Sequence, residues 1–179
     1  MVYEERLLEY IERMPISAFR ATVWRVAFAS QPPLKPNVRG ARWNPKDVSA
    51  LYTSLSEATA RREFAYILRS QPVSPAVSFA SHAINMRLAR TIELDAGCLS
   101  DLGVDIASLP DGIAGWTPCQ EVGGAVAFLR IQGLIVPSLR HASGRNLVAY
   151  TDEIEPPASA YDLANSASLT IDGLDVDAS

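Results

Sequence analysis

The chain has 179 residues, enough for one domain of ordinary size, and its 48% hydrophobic and 20% charged residues are those of an average globular protein. That balance excludes a disordered, collagen-like or coiled-coil chain, and no apolar run approaches the ~20 residues of a membrane span. The net charge of −4 is uneven: residues 1–150 hold all 16 Lys and Arg against 13 Asp and Glu, while residues 151–179 hold seven acids and no base.

Residues 4–14 place Leu7, Leu8, Ile11 and Met14 on one side of a helix that Pro15 ends. This opening segment carries four glutamates and two arginines, unlike a secretory signal. With only Cys98 and Cys119 as thiols, a reducing, cytoplasmic setting is expected. Residues 18–28, rich in β-branched and aromatic types, read as a strand, and the three prolines of 31–40 mark a loop. Residues 49–54 read as a short strand with Ala50, Tyr52 and Ser54 on one face. Ser56 can cap a helix over 57–70, which Pro72 and Pro75 stop. Glu63 lies at the border of its apolar side.

Residues 87–95 read as a strand, and 97–118 as largely irregular. A helix is expected over 119–130 despite Gly123 and Gly124, ended by Gly133. Strands follow at 134–138 and 146–150. The element order lacks a regular βαβ alternation, so the fold class is α+β, with mixed, largely antiparallel sheets and flanking helices. The organisation expected is one domain over 1–150 and an acidic C-terminal extension over 151–179, solvated or partner-facing, that is not a separate domain.

Four places can carry chemistry. Arg25, beside Trp24, shares a strand face with Val23 and Ala27; it is either a border arginine with its stem on the core or a partly buried cation for an anionic ligand. The segment Arg39-Gly40-Ala41-Arg42-Trp43-Asn44-Pro45 can bind a phosphate and a flat ring together, or be a basic loop with Trp43 tucked into the core. Tyr52, Ser54 and Glu63 come together if the helix turns back over the strand's end; otherwise Glu63 pairs with Arg62 or Arg69 on the surface. Ser138 ends a buried strand ahead of Arg140, His141, Gly144, Arg145 and Asn146, and lacks the glycines of a nucleophile elbow. His82, His141, Cys98 and Cys119 lack the paired spacing of a zinc site, so no metal is expected. Dispersed arginines on an acidic chain do not favour nucleic-acid binding.

Together these segments resemble the RES domain family. The stretch over residues 40–63, GARWNPKDVSALYTSLSEATARRE, looks like the family signature, with Trp24-Arg25 upstream and LIVPS (134–138) and NLVAY (146–150) downstream. The resemblance covers roughly residues 20–150. The family's named arginine corresponds to Arg25 or Arg42, its glutamate to Glu63 and its serine to Ser138. Ala41 and Asp47 stand where the family commonly has glycine.

The resemblance implies a toxin of a bacterial toxin–antitoxin pair, with an Xre-like helix-turn-helix antitoxin as partner and a fold similar to ADP-ribosyltransferases. It implies destruction of NAD, as substrate rather than prosthetic group, by hydrolysis or phosphorolysis. A protein ADP-ribosyltransferase and a non-catalytic regulator-binding protein are the alternatives. On this reading Glu63, Arg25 and Tyr52 are catalytic: Glu63 faces the developing ribose cation, Arg25 and Arg42 hold the pyrophosphate, and Tyr52 stacks on nicotinamide. Trp43 lines the pocket, Asn44 and Ser138 hydrogen-bond the substrate, and Arg39 or Arg42 supplies a cation for a phosphate acceptor.

Overall fold

The computed structural model describes residues 3–70, 78–106, 115–155 and 157–169. Helix α1 (Glu5–Glu12) leads into strand β1 (Ser17–Phe28). Strand β2 (Ala50–Ser54) runs into helix α2 (Glu57–Ser70), and strand β3 spans Phe79–Glu93. Two helices, α3 (Ala96–Asp101) and α4 (Thr117–Phe128), precede strands β4 (Gly133–Pro137) and β5 (Arg145–Tyr150). A one-turn helix α5 (Pro157–Ala160) and strand β6 (Tyr161–Leu169) complete the described chain.

The strands form one mixed sheet in the order β1-β2-β5-β4-β3-β6, with β1 also pairing to β3. Pairing therefore runs round a closed circuit of five strands, β1-β2-β5-β4-β3, with β6 alongside β3. All these pairings are antiparallel except β3 with β4. Closure gives the strands an inside. Val23, Leu51, Ile84, Met86, Leu88, Ile135, Leu147 and Ala149, drawn from all five strands, form one buried cluster there.

Side chains alternate across a strand, so the neighbouring residues face outward. Ala50, Leu134, Val136, Val148 and Tyr150 pack on the outer side against Ile11, Leu99, Val122 and Val126 from α1, α3 and α4. Helix α2 covers a third patch, laying Ala60 and Phe64 on Val26 and Phe79. The expected α+β class with a largely antiparallel sheet is what the chain adopts.

Several boundaries differ from the expectations. Strand β3 begins at Phe79 rather than 87. Its alternation of Ile84, Met86 and Leu88 inward continues through His82 and Ala80, whose polar or small side chains mask the pattern. Helix α3 forms within the stretch expected to be irregular, because Asp95 caps it by accepting from the Cys98 amide at 2.8 Å. The turn after α4 is made by Arg130 with φ 58°, and Gly133 instead opens β4. Pro72 and Pro75, expected to stop α2, lie outside the described residues. Residue 150 is not a fold boundary: β6, within the acidic extension, pairs with β3 from Phe79 to Met86. The extension's acids at 172, 175 and 177 lie outside the described residues.

Candidate active site

Ser54, Asn146 and Ser138 stand in a row on the outer face of the sheet, at the ends of β2, β5 and β4. The register sets this row: Ser54 lies opposite Asn146, and Asn146 lies opposite Val136, two residues before Ser138. Helix α2 starts immediately beyond Ser54. Ser56 caps it by accepting from the Thr59 amide at 3.2 Å, as expected from the sequence. The second turn of α2 then hangs over the row and delivers Glu63.

Glu63 Oε1 accepts two hydrogen bonds, from Ser138 Oγ at 2.6 Å and from Asn146 Nδ2 at 2.6 Å. No hydrogen bond to Oε2 exists among the described residues. Glu63 thus faces the strand ends rather than pairing with Arg62 or Arg69. Ser138 is itself held, its Oγ accepting from the amides of Arg140 and His141, each at 3.1 Å. His141 Nδ1 meets Thr59 Oγ1 at 2.9 Å, one helical turn before Glu63. The 138–144 turn lies flat on α2 because residue 144 is glycine: a Cβ there would stand 2.7 Å from Thr59 Oγ1.

Tyr52 lies two residues before Ser54 on the same face. Its hydroxyl donates to Asn44 Oδ1 at 2.8 Å and accepts from the Trp43 amide at 2.9 Å. Burial raises its pKa well above the ordinary value, so it stays a neutral phenol. Asn44 is fully buried, and its Nδ2 donates to Val48 O at 2.7 Å and Asn37 O at 3.3 Å. Both of its Nδ2 protons are spent in building the loop and the side chain is shut off from solvent, so Asn44 serves the loop rather than the substrate hydrogen bond expected of it. Trp43, only 5% exposed, lies in the core beneath α4 rather than along an open pocket.

The loop over residues 39–45 is clamped from below. Gln120 Nε2 donates to Ala41 O at 2.9 Å, and Tyr150 OH donates to Trp43 O at 3.0 Å. Gly123 explains why α4 tolerates its glycines, since a Cβ there would lie 1.9 Å from Trp43 O. This clamp presents Arg42. Its guanidinium lies near Tyr52 and Cys119, and its Nη1 is buried with no hydrogen-bond partner among the described residues. A buried donor left unmet on a cation is costly unless an anion completes it. Cys119 is pushed up to about 11 by burial, against the pull of Arg42, and remains a thiol. Arg39 is exposed at the loop's tip.

Arg25 is placed differently. Strands β1 and β2 join at Trp24 and Ser54, and Arg25 projects from the face of β1 opposite to Trp24. Its Nη1 donates to Lys35 O at 2.9 Å, and its cross-strand neighbour is His82. Burial lowers its pKa from the ordinary arginine value. The Glu63 cluster and Arg25 therefore flank one strand junction from two sides, with no hydrogen bond between them among the described residues.

The approach of Glu63 to the strand end at Ser54 is the one the sequence allows for, whereas Asn146, marked only as part of the segment after Ser138, is not linked to them by the sequence. The signal that could find it is alternation: Asn146 shares its strand face with Val148 and Tyr150, so a polar residue continues an apolar outer row toward α2. Among the described residues, no group of three or more His, Cys, Asp or Glu could hold a metal. No described helix is long and apolar enough to cross a membrane.

The chain is similar to one in the crystal structure of the M. tuberculosis MbcT–MbcA toxin–antitoxin complex, with TM-score 0.78, 24% identity and 93% of both chains covered. That likeness carries the fold. A search of curated proteins finds no match. The RES domain model matches residues 22–172, which takes in α2, the whole row of strand-end polar groups and β6. The match spans most of the sequence and runs through every residue of the Glu63 cluster, and the chain therefore belongs to the RES domain family.

Proposed function

We propose that this chain is the toxin of a toxin–antitoxin pair and acts by cleaving the nicotinamide–ribose bond of NAD, with water or phosphate as acceptor. The observation that carries the reading is Glu63: one carboxylate oxygen anchored by Ser138 and Asn146, the other without a hydrogen bond among the described residues. Nicotinamide leaves with the electron pair of the C1′–N bond, which neutralises its ring, so no acid is needed to expel it. The ribose left behind is oxocarbenium-like, and a fixed carboxylate stabilises that charge. Glu63 then orients the acceptor and takes the proton that an attacking water gives up.

Arg42 is the cation for the pyrophosphate, since an anion would satisfy its buried Nη1. Arg25, on the opposite face of β1, is kept as a second cation for the dinucleotide because the family resemblance implies it. The ring of Tyr52, held by its hydroxyl, offers a flat surface for nicotinamide. On this reading the fold is related to the ADP-ribosyltransferases. The structural neighbour was solved in a toxin–antitoxin complex, which supports a protein partner here, and the family resemblance makes that partner an Xre-like helix-turn-helix antitoxin.

The test is to incubate the purified protein with NAD, with and without inorganic phosphate, and identify the products. Free nicotinamide with ADP-ribose or its phosphate is expected. A labelled protein band instead would make the chain a protein ADP-ribosyltransferase, and intact NAD would leave a non-catalytic regulator-binding role.

A further inference from the structure

The two bonds to Glu63 are directional, and the chain of donors behind them ends on Ser54. An ionised carboxylate only accepts, so Asn146 must turn its Nδ2 toward Glu63. Its Oδ1 then faces Ser54, whose hydroxyl donates to it at 2.7 Å. Ser54 is 4% exposed and has no competing acceptor among the described hydrogen bonds. Were the amide turned over, Oδ1 would stand 2.6 Å from Glu63 Oε1, acceptor against acceptor. Ser54 also lies opposite Asn146 in the β2–β5 register, so the backbone pairing itself sets the spacing of the relay.

We infer that Ser54 and Asn146 are positioning residues that hold Glu63 by Oε1 and so present Oε2 to the substrate. The inference rests on the proposed NAD cleavage but assigns work to residues outside the Arg, Glu and Ser for which the family is named. Ser138 cannot do the job alone. One hydrogen bond leaves a carboxylate free to swing about it, whereas two donors on one oxygen fix both its position and its plane.

The relay acts on the geometry of the reaction and not on the grip for substrate. Ser54→Ala is expected to lower kcat roughly tenfold, the scale on which losing the group that orients a functional side chain acts, with KM for NAD unchanged. Ser54→Thr keeps the hydroxyl and is expected to restore most of kcat. Asn146→Ala, with an unchanged melting temperature as the check on folding, is expected to lose more than Ser54→Ala. Wild-type kcat in Ser54→Ala, or a loss that Ser54→Thr does not repair, would overturn the relay while leaving NAD cleavage standing. If the wild-type protein itself leaves NAD intact, the functional reading fails separately. The relay is then decided by a crystal structure of Ser54→Ala: a Glu63 side chain displaced or spread over rotamers supports it, and one unmoved overturns it.

Discussion

Ser138 and Glu63, 75 positions apart in the chain, meet through a 2.6 Å hydrogen bond between a strand end and the second turn of a helix. The bond exists because β2 passes directly into α2 and because β2, β5 and β4 are neighbours in the sheet. A half-buried carboxylate is thereby tied to the sheet through one oxygen, while the other takes no hydrogen bond among the described residues. Glu63→Gln keeps the shape and removes the charge. It is expected to bind NAD as before and to turn it over at least ~100-fold more slowly, the usual loss when one electrostatic stabiliser goes. Steady-state kinetics with a separate binding measurement checks this; wild-type turnover would refute the role of Glu63.

Arg42 and Arg25 answer to binding rather than chemistry. Arg42→Ala removes a half-buried guanidinium whose Nη1 has no partner among the described residues, and is expected to raise KM for NAD about tenfold or more. Arg42→Lys is expected to recover little, because an ammonium lacks the planar fork. Arg25→Ala is expected mainly to weaken NAD binding. An unchanged KM and kcat in the Arg25 variant would make that residue a tie to Lys35 O alone.

Gly123→Ala tests the clamp under the Arg42 loop without removing a polar group. The added carbon would lie 1.9 Å from Trp43 O, a distance no packing tolerates. Either α4 or the loop must move, at a cost of about 1–3 kcal/mol. The melting temperature is expected to fall, and KM for NAD to rise in whatever folds. A melting temperature equal to wild type would show that the loop is not held by this approach.

Asp47 sits in the left-handed region with φ 71°, where the family commonly has glycine. A residue with a Cβ is strained there, although aspartate tolerates the region better than most. Asp47→Gly is expected to stabilise the fold by up to about 1 kcal/mol, seen as a rise of a few degrees in melting temperature. A fall in stability would mean that chain entropy outweighs the relieved strain.

His82 sets a pH dependence of stability. Burial, and then the charge of Arg25, hold its pKa below the ordinary 6.5. Below pH 6.5 the unfolded chain therefore takes up a proton that the folded chain refuses. Stability from this group is level above about pH 6.5 and falls as the pH drops toward the lowered value. Melting temperatures between pH 8 and 5 are expected to drop less for His82→Gln than for wild type. Parallel curves would remove His82 as a cause.

Much of the site was legible in one dimension. The run from Gly40 to Glu63 carries its own loop, strand, cap and helix, because each depends on neighbours within a few residues: Gly40 in the left-handed region, alternation along β2, Ser56 at the start of α2. The periodic apolar residues also determined most elements and the α+β class, since burial needs only a pattern and not a partner. What the sequence left open was which polar residues are substrate-facing and which are structural. Asn44 and Trp43 read as ligands or as scaffold, and only the closed sheet, with α4 pressed against their loop, makes them scaffold. Ser54 stands out in the sequence beside Glu63, and Asn146 in the segment after Ser138, but only the β2–β5 register sets Ser54 and Asn146 side by side beneath Glu63. Strand pairing and helix packing join positions dozens of residues apart, and no local preference encodes which ones meet. The residue types were therefore written in the chain, but their hydrogen-bond partners were decided by tertiary structure.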